Sequence, residues 1–308
     1  MSDEKKKLSR REFLTAAGVG AATCVAAAAS ISPILKIADK FSLEEFLQKN
    51  YRELTSEEKK KIFKRLEREI RKKYGVKAKI SDPQPIENVK FAMVINVGRC
   101  IGCRKCVYAC MKENNNSRSP QVQYIRVLRM EKGKIDLETA VHDYPEEEAA
   151  QTDKYWYMPV QCHQCEDPPC VKVCPVKATW KEPDGIVVVD YNWCIGCRYC
   201  LAACPYFGRR FNWAEPQIPK GELNPDMAYL SNRPRYKGNA EKCTFCLQRT
   251  RNGRYTACVE ACPTGARKFG NLLDPESEIR KIIDKERVFI LKEELNTIPK
   301  MYYVFSKS

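Results

Sequence analysis

Cys194-Ile195-Gly196-Cys197-Arg198-Tyr199-Cys200-Leu201-Ala202-Ala203-Cys204-Pro205-Tyr206 is the stretch that decides the fold of this chain. Three cysteines, with two residues between each and the next, line one tight loop, and a fourth leaves that loop just before a proline. The spacing C-x2-C-x2-C-x3-C-P is the one by which a chain wraps an iron–sulfur cluster, and in two-cluster ferredoxins the fourth cysteine ligates the other cluster. Such a group therefore works with a second group. A proline at this point, with fixed φ and no N–H, suits a chain turning away from a cluster.

Working outward, sixteen of the seventeen cysteines fall into four such groups. Cys100, Cys103, Cys106 and Cys110 repeat the spacing, with Met111 where the proline would stand. Cys162, Cys165, Cys170 and Cys174 widen one gap to C-x2-C-x4-C-x3-C, and Cys243, Cys246, Cys258 and Cys262 widen it to C-x2-C-x11-C-x3-C. Pro175 and Pro263 follow the last cysteines of these two. Residues 100–104 and 194–198 both read Cys-Ile-Gly-Cys-Arg, an internal repeat whose Gly102 and Gly196 are expected to let the backbone approach inorganic sulfides closely. Four groups imply two ferredoxin-like modules. Only Cys24 stands apart.

Two other chemistries use clustered cysteines. Structural zinc prefers two separated Cys-x2-Cys pairs around a tetrahedral ion, and triplets at constant spacing fit it poorly. A disulfide framework suits exported chains, but cysteines two residues apart on one loop rarely pair, and such frameworks are usually shorter.

Export is signalled by Ser9-Arg10-Arg11-Glu12-Phe13-Leu14, after a basic start and before the mildly apolar stretch from Ala16 to Ala29, which is a twin-arginine signal. That route carries folded proteins, so clusters can be built in the reducing cytoplasm first. Small residues around Ala26 to Ser30 favour cleavage; an uncut anchor of marginal length is the alternative. No other segment nears eighteen apolar residues, so the body is expected to be soluble, with Cys24 an incidental residue of the signal.

At 308 residues with a 44% hydrophobic fraction, the chain has modest material for an aliphatic core, and the clusters are expected to serve as part of it. The net charge of +15 counts cysteines as neutral. Four thiolate-bound clusters would add roughly eight negative charges, making much of the excess internal compensation. Thirteen further Lys or Arg lie between residues 49 and 79, and no nucleic-acid motif accompanies them, so no nucleic-acid partner is expected.

Ser42 with Glu45, and Thr55 with Glu58, have capping-box spacing and open two helices before Gly75. Ile62, Phe63, Leu66 and Ile70 form one apolar stripe, which packs on its own domain or docks a partner or membrane surface. Strands are expected over Phe91 to Val97 and Gly185 to Asp190, with a hairpin turning at Lys132 and Gly133. The inserts at 111–161 and 205–242, the second rich in proline, read as long loops, either solvated spacers or partner surfaces. The expected class is α+β: tandem 2[4Fe-4S] bacterial-ferredoxin-like modules with long loop inserts. The expected domains are a signal at 1–30, a helical extension at 31–90, the four-cluster region at 91–270 and a tail at 271–308.

Together, the four groups in this order, the stretch from Cys194 to Tyr206, Glu241-Lys242-Cys243-Thr244-Phe245-Cys246 and the stretch from Ala257 to Ala266 carry a resemblance. From about Phe91 to Tyr303 the chain resembles the exported four-cluster ferredoxin subunits of respiratory membrane complexes. Relatives serve polysulfide, thiosulfate, tetrathionate and dimethyl sulfoxide reductases, formate-dependent nitrite reduction and heterodisulfide-reductase-like menaquinol-oxidising complexes. The resemblance implies four [4Fe-4S] clusters: Cys100, Cys103, Cys106 and Cys262 on the first; Cys243, Cys246, Cys258 and Cys110 on the second; Cys162, Cys165, Cys170 and Cys204 on the third; Cys194, Cys197, Cys200 and Cys174 on the fourth. No cysteine is replaced, so no three-iron cluster is expected.

What the resemblance further implies is a relay of single electrons, on the extracytoplasmic face of the membrane, between an integral-membrane quinone-reactive subunit and a catalytic or haem subunit. Some relatives carry a C-terminal membrane helix; this chain has none after Cys262, so attachment is expected through the signal or a partner. A heterodisulfide-reductase-like complex and the electron feed of a molybdopterin reductase for sulfur compounds both remain open. A standalone enzyme would need an acid–base constellation, yet only His142 and His163 are present and the cysteines are committed, so no catalytic residue and no small-molecule substrate of its own are expected. His163, between Cys162 and Cys165, either tunes a cluster or is a surface or supporting histidine. A soluble ferredoxin shuttle is the third class, disfavoured by the long inserts and the amphipathic helix.

Overall fold

The computed structural model describes residues 54–306 except 135 and 138. The signal motif, Cys24 and the helix expected from Ser42 lie outside the described residues. The first described element, α1 (Ser56–Tyr74), is the amphipathic helix. Its capping box is complete: the Thr55 hydroxyl accepts from the Glu58 N–H, and the Glu58 carboxylate accepts from the Thr55 N–H at 3.0 Å. Gly75 closes it in the left-handed conformation at φ 73°, donating to Arg71 O. The apolar stripe lies on its own domain, with Leu66 and Ile70 buried and Phe63 5.5 Å from the Tyr229 ring. Glu67 accepts from Ile80 N at 2.9 Å, in β1 (Lys79–Ser81).

The centre is a three-stranded sheet whose middle strand is β2 (Phe91–Asn96). Its two faces meet different neighbours. Phe91, Met93 and Ile95 enter the main core, while Ala92 and Val94 pack beneath Ile279, so both faces are apolar. Along its edges run β10 (Arg267–Asn271), antiparallel with Met93 opposite Phe269, and β11 (Met301–Val304), parallel with Met93 opposite Met301. Residues 271–308, expected as a tail, thus supply a strand of the central sheet and, in Glu278–Lys285, the helix that covers it.

Two further antiparallel strand pairs complete the cluster-bearing region. β5 (Thr179–Lys181) pairs antiparallel with β6 (Val187–Val189), and β7 (Arg209–Phe211) with β9 (Ala240–Lys242). Four short helices carry cysteines: α2 (Lys105–Glu113), α3 (Pro169–Lys172), α4 (Tyr199–Ala202) and, past the short helix α5 (Leu247–Thr250), α6 (Ala257–Glu260). Helix α2 packs on α6, and α3 on α4. The first cysteine group therefore meets the fourth, and the second meets the third, across long sequence separations.

The inserts are more structured than their composition suggests. β3 (Arg126–Glu131) and β4 (Tyr155–Val160) pair antiparallel, but the chain does not return directly at Lys132 and Gly133 as expected: Gly133, at φ 85°, leads into a long excursion before the second strand. Residues 205–242 are not a solvated loop. β8 (Asp226–Ala228) lies parallel to β1, and Ser231, Asn232, Arg233 and Arg235 are buried. Side chains order this backbone: Asn115 Nδ2 donates to Asn224 O and Asn232 O, and Arg235 pairs with Glu241 at 3.0 Å.

Candidate iron–sulfur centres

In both copies of Cys-Ile-Gly-Cys-Arg the glycine and the arginine are left-handed: φ is 73° and 55° at Gly102 and Arg104, and 74° and 67° at Gly196 and Arg198. The arginine then opens a helix, α2 or α4, that carries the third cysteine of its group. The glycines are required by protein neighbours as well as by φ. A Cβ on Gly102 would strike the Tyr157 ring, and one on Gly196 would strike the backbone carbonyl of Gly238. The expected close approach to sulfide is thus not needed to account for glycine here.

Two cavities are lined by thiols. One is lined by Cys174, Cys194, Cys197 and Cys200; the other by Cys162, Cys165, Cys170 and Cys204. Each takes three cysteines from one group and the last cysteine of the neighbouring group, which sits beside them because α3 and α4 pack together. The remaining thiols neighbour one another in the same crossed manner. Burial pushes the Cys100 thiol up to about 12, with Cys106 and Cys262 adding to the rise. Burial likewise pushes Cys106 up to about 11, where Arg267 opposes and Cys258, Cys262 and Cys103 add. Cys110 is driven well above the ordinary thiol value by burial and by Cys246, Cys243 and Cys258.

Thiols so placed resist losing a proton to water, because a bare thiolate would be desolvated among others. A metal that binds the thiolates replaces those protons and supplies the missing charge compensation. None of the sixteen cysteines among the described residues is in a disulfide. Hydrogen bonds already point at the sulfurs. Arg209 Nη2 lies 3.1 Å from Cys170 Sγ, Gly208 N 3.3 Å from Cys204 Sγ, and Phe245 N 3.4 Å from Cys243 Sγ. Arg209 and Arg267 are buried, and Nε and Nη1 of both lack any partner among the described residues. Buried guanidinium groups with unfilled N–H donors beside clustered thiols fit an anionic metal cluster.

His163 is neither on the surface nor charged. It is buried, its ring stacks on Tyr206 with centroids 3.9 Å apart, Nδ1 donates to Gln161 O at 2.9 Å, and burial lowers it to about 3. Cysteine spacing alone does not single out Arg209, Arg267 or Asn114. For the arginines a signal is present: both stand in Cys-Pro-x-x-x-Arg, at Cys204 to Arg209 and Cys262 to Arg267.

The 4Fe-4S dicluster domain matches residues 99–178, and a second model of the same description matches residues 153–235 and 228–272. A selenate reductase subunit of Mesobacillus selenatarsenatis is 37% identical over 98% of this chain and 99% of its own length. The chain belongs to the 4Fe-4S dicluster family. It is an iron–sulfur, electron-relaying subunit. A putative dimethyl sulfoxide reductase iron–sulfur subunit of Halobacterium salinarum is 44% identical over 70% of this chain and 78% of its own length. The Hdr-like menaquinol oxidoreductase iron–sulfur subunit 1 of Archaeoglobus fulgidus is 38% identical over 73% and 87%. Tandem ferredoxin-like modules account for the small sheets and crossed helices. Among the described residues no helix is long and apolar enough to cross a membrane.

Proposed function

We propose that this subunit holds four [4Fe-4S] clusters in a single file, on the crossed ligand sets expected from the sequence. The observation that carries this reading is the pair of thiol-lined cavities, in which Cys204 and Cys174 have exchanged groups. Neighbouring thiols suggest the order of the file. Cys258 raises Cys106 between the first and second sets, Cys162 raises Cys243 between the second and third, and Cys170 raises Cys200 between the third and fourth. The clusters supply one-electron chemistry, with no bond made or broken in the protein. The chain positions them, excludes water and sets their potentials through N–H···S bonds and nearby charge.

The file connects an integral-membrane quinone-reactive subunit to a catalytic subunit on the extracytoplasmic face, reached by the twin-arginine route. A terminal reductase complex is favoured by the similarity to a selenate reductase subunit, which runs through 98% of the chain. A menaquinol-oxidising complex with a haem subunit is the second reading, favoured by the 38% identical menaquinol oxidoreductase subunit.

Anaerobic purification of this chain from native membranes tests the proposal. About sixteen iron atoms per chain are expected, with molybdenum or tungsten and a large pterin-binding subunit in the first case, and haem without those metals in the second. Half that iron content in fully loaded protein would overturn the four-cluster file.

A further inference from the structure

Among the described residues the buried cations divide into those with a partner for their charge and those without. Arg235 has Glu241, Arg251 has Asp184 at 2.7 Å, Arg249 has Glu113 at 2.9 Å and Lys300 has Glu166 at 3.4 Å. Arg233 lies over the faces of Tyr191, Tyr229 and Tyr236. Three others, Arg267, Lys242 and Arg209, are buried with no carboxylate in ion-pair reach among the described residues. An isolated buried charge is strongly unfavourable, so each needs an anion close by.

Their positions follow the cysteine sets. Arg267 lies among thiols of the first and second sets: Cys258, Cys106 and Cys262 favour its charged form against the pull of burial, while Nη2 is held by Gln161 Oε1 and Met93 Sδ. Lys242 directly precedes Cys243, the thiol of the second set that faces Cys162 of the third. Its Nζ donates to Gln164 Oε1 at 3.2 Å, to Cys243 O at 2.6 Å and to Val187 O, all neutral acceptors. Arg209 lines both cavities, donating to Cys170 Sγ at 3.1 Å and Thr179 Oγ1 at 2.9 Å and acting on Cys200. One unpaired cation thus stands at each of the three junctions of the file.

We infer that Arg267, Lys242 and Arg209 are junction charges, each setting the potentials of the two clusters it stands between. This rests on the four-cluster reading. Reduction adds one negative charge to a cluster and moves no proton, so a fixed cation beside it favours the reduced state. A cation shared by two neighbours raises both together, and an electron leaving one and entering the other stays within the field of the same charge. Burial keeps that field from being screened by salt. The arginines occupy matching Cys-Pro-x-x-x-Arg positions in the two modules because each module has one internal junction. Lys242 serves the junction between modules.

The test is an EPR-monitored redox titration of the whole complex, purified anaerobically, carrying Arg209→Gln, Arg267→Gln or Lys242→Met, with Arg209→Lys and Arg267→Lys as charge-keeping controls. Iron content and the number of distinct signals in the unaltered complex test the four-cluster reading separately. Each neutral variant is expected to lower the reduction equilibrium of its two flanking clusters at least tenfold, about 59 mV for a one-electron couple. The other two clusters stay within a third of that shift, and the lysine variants recover most of it. Fully loaded neutral variants with unshifted potentials would overturn the inference. So would arginine variants that lose iron to the same degree whether replaced by glutamine or lysine, since shape rather than charge would then be what the junction requires.

Discussion

Asn114 Nδ2 lies 3.5 Å from Cys110 Sγ and 3.6 Å from Cys246 Sγ, so a single amide joins thiols of the first and fourth cysteine groups. The same nitrogen donates to Cys110 O at 2.9 Å, which fixes its direction at the end of α2. Both sulfurs belong to the second proposed ligand set. Donors to cluster sulfur favour the reduced state by spreading its extra charge. Replacing Asn114 with leucine is expected to lower the potential of that cluster by roughly 40 mV, the equivalent of about one net hydrogen bond. A titration followed by EPR reads this, and an unchanged potential in loaded protein would show that the amide only holds the backbone.

Cys197 is the exposed member of its cavity, whereas Cys200 beside it is buried. Cys197→Ser should therefore disable one centre without disturbing the core. Iron content is expected to fall by about a quarter, and quinol-linked turnover of the complex to stop, because a relay fails at any missing member. Full turnover with the lower iron content would remove this centre from the path.

Gly196 and Gly133 are both left-handed, yet only Gly196 has a backbone carbonyl where a Cβ would go; nothing lies within 4 Å of the position at Gly133. Gly133→Ala should cost about 1 kcal/mol, the conformational strain alone. Gly196→Ala adds a clash with rigid backbone, for a loss of about 3 kcal/mol or more. Unfolding midpoints of the two loaded variants, compared with the unaltered protein, measure the difference.

How legible each feature is in the sequence depends on its physics. The cysteine groups stand out because cluster geometry imposes their spacing, and the helix at Thr55–Gly75 because its two caps need particular residues. The segment 205–242 reads as loop because its order comes from buried polar side chains. Asn115, Asn232 and Arg235 satisfy backbone or carboxylate groups there and leave no hydrophobic period. β11 is hidden because a four-residue strand gains its meaning only from β2, roughly two hundred residues earlier. Arg209 and Arg267 show as a repeated offset from Cys-Pro, but charge is informative there only once burial and the lack of a carboxylate are known.

Lys300 holds the C-terminal segment against the rest of the cluster region. Its backbone N–H donates to His163 O at 2.9 Å, and its Nζ reaches Gly185 O and, at 3.4 Å, Glu166. Burial lowers this lysine to about 8, against the opposing pull of Glu166. Below pH 8 it is charged in both folded and unfolded chains. Between about 8 and its ordinary value of 10.5 the folded chain has released the proton and the unfolded chain has not. Stability linked to this group therefore rises with pH across that window, by at most about 1.4 kcal/mol per unit, and is flat below it. Lys300→Met should abolish the rise while leaving the behaviour below pH 8 parallel to that of the unaltered protein. Denaturant unfolding at pH 7, 8, 9 and 10 measures it. Identical pH slopes for the two proteins would mean that the lysine stays charged in the fold, its burial fully compensated by Glu166 and the Gly185 carbonyl.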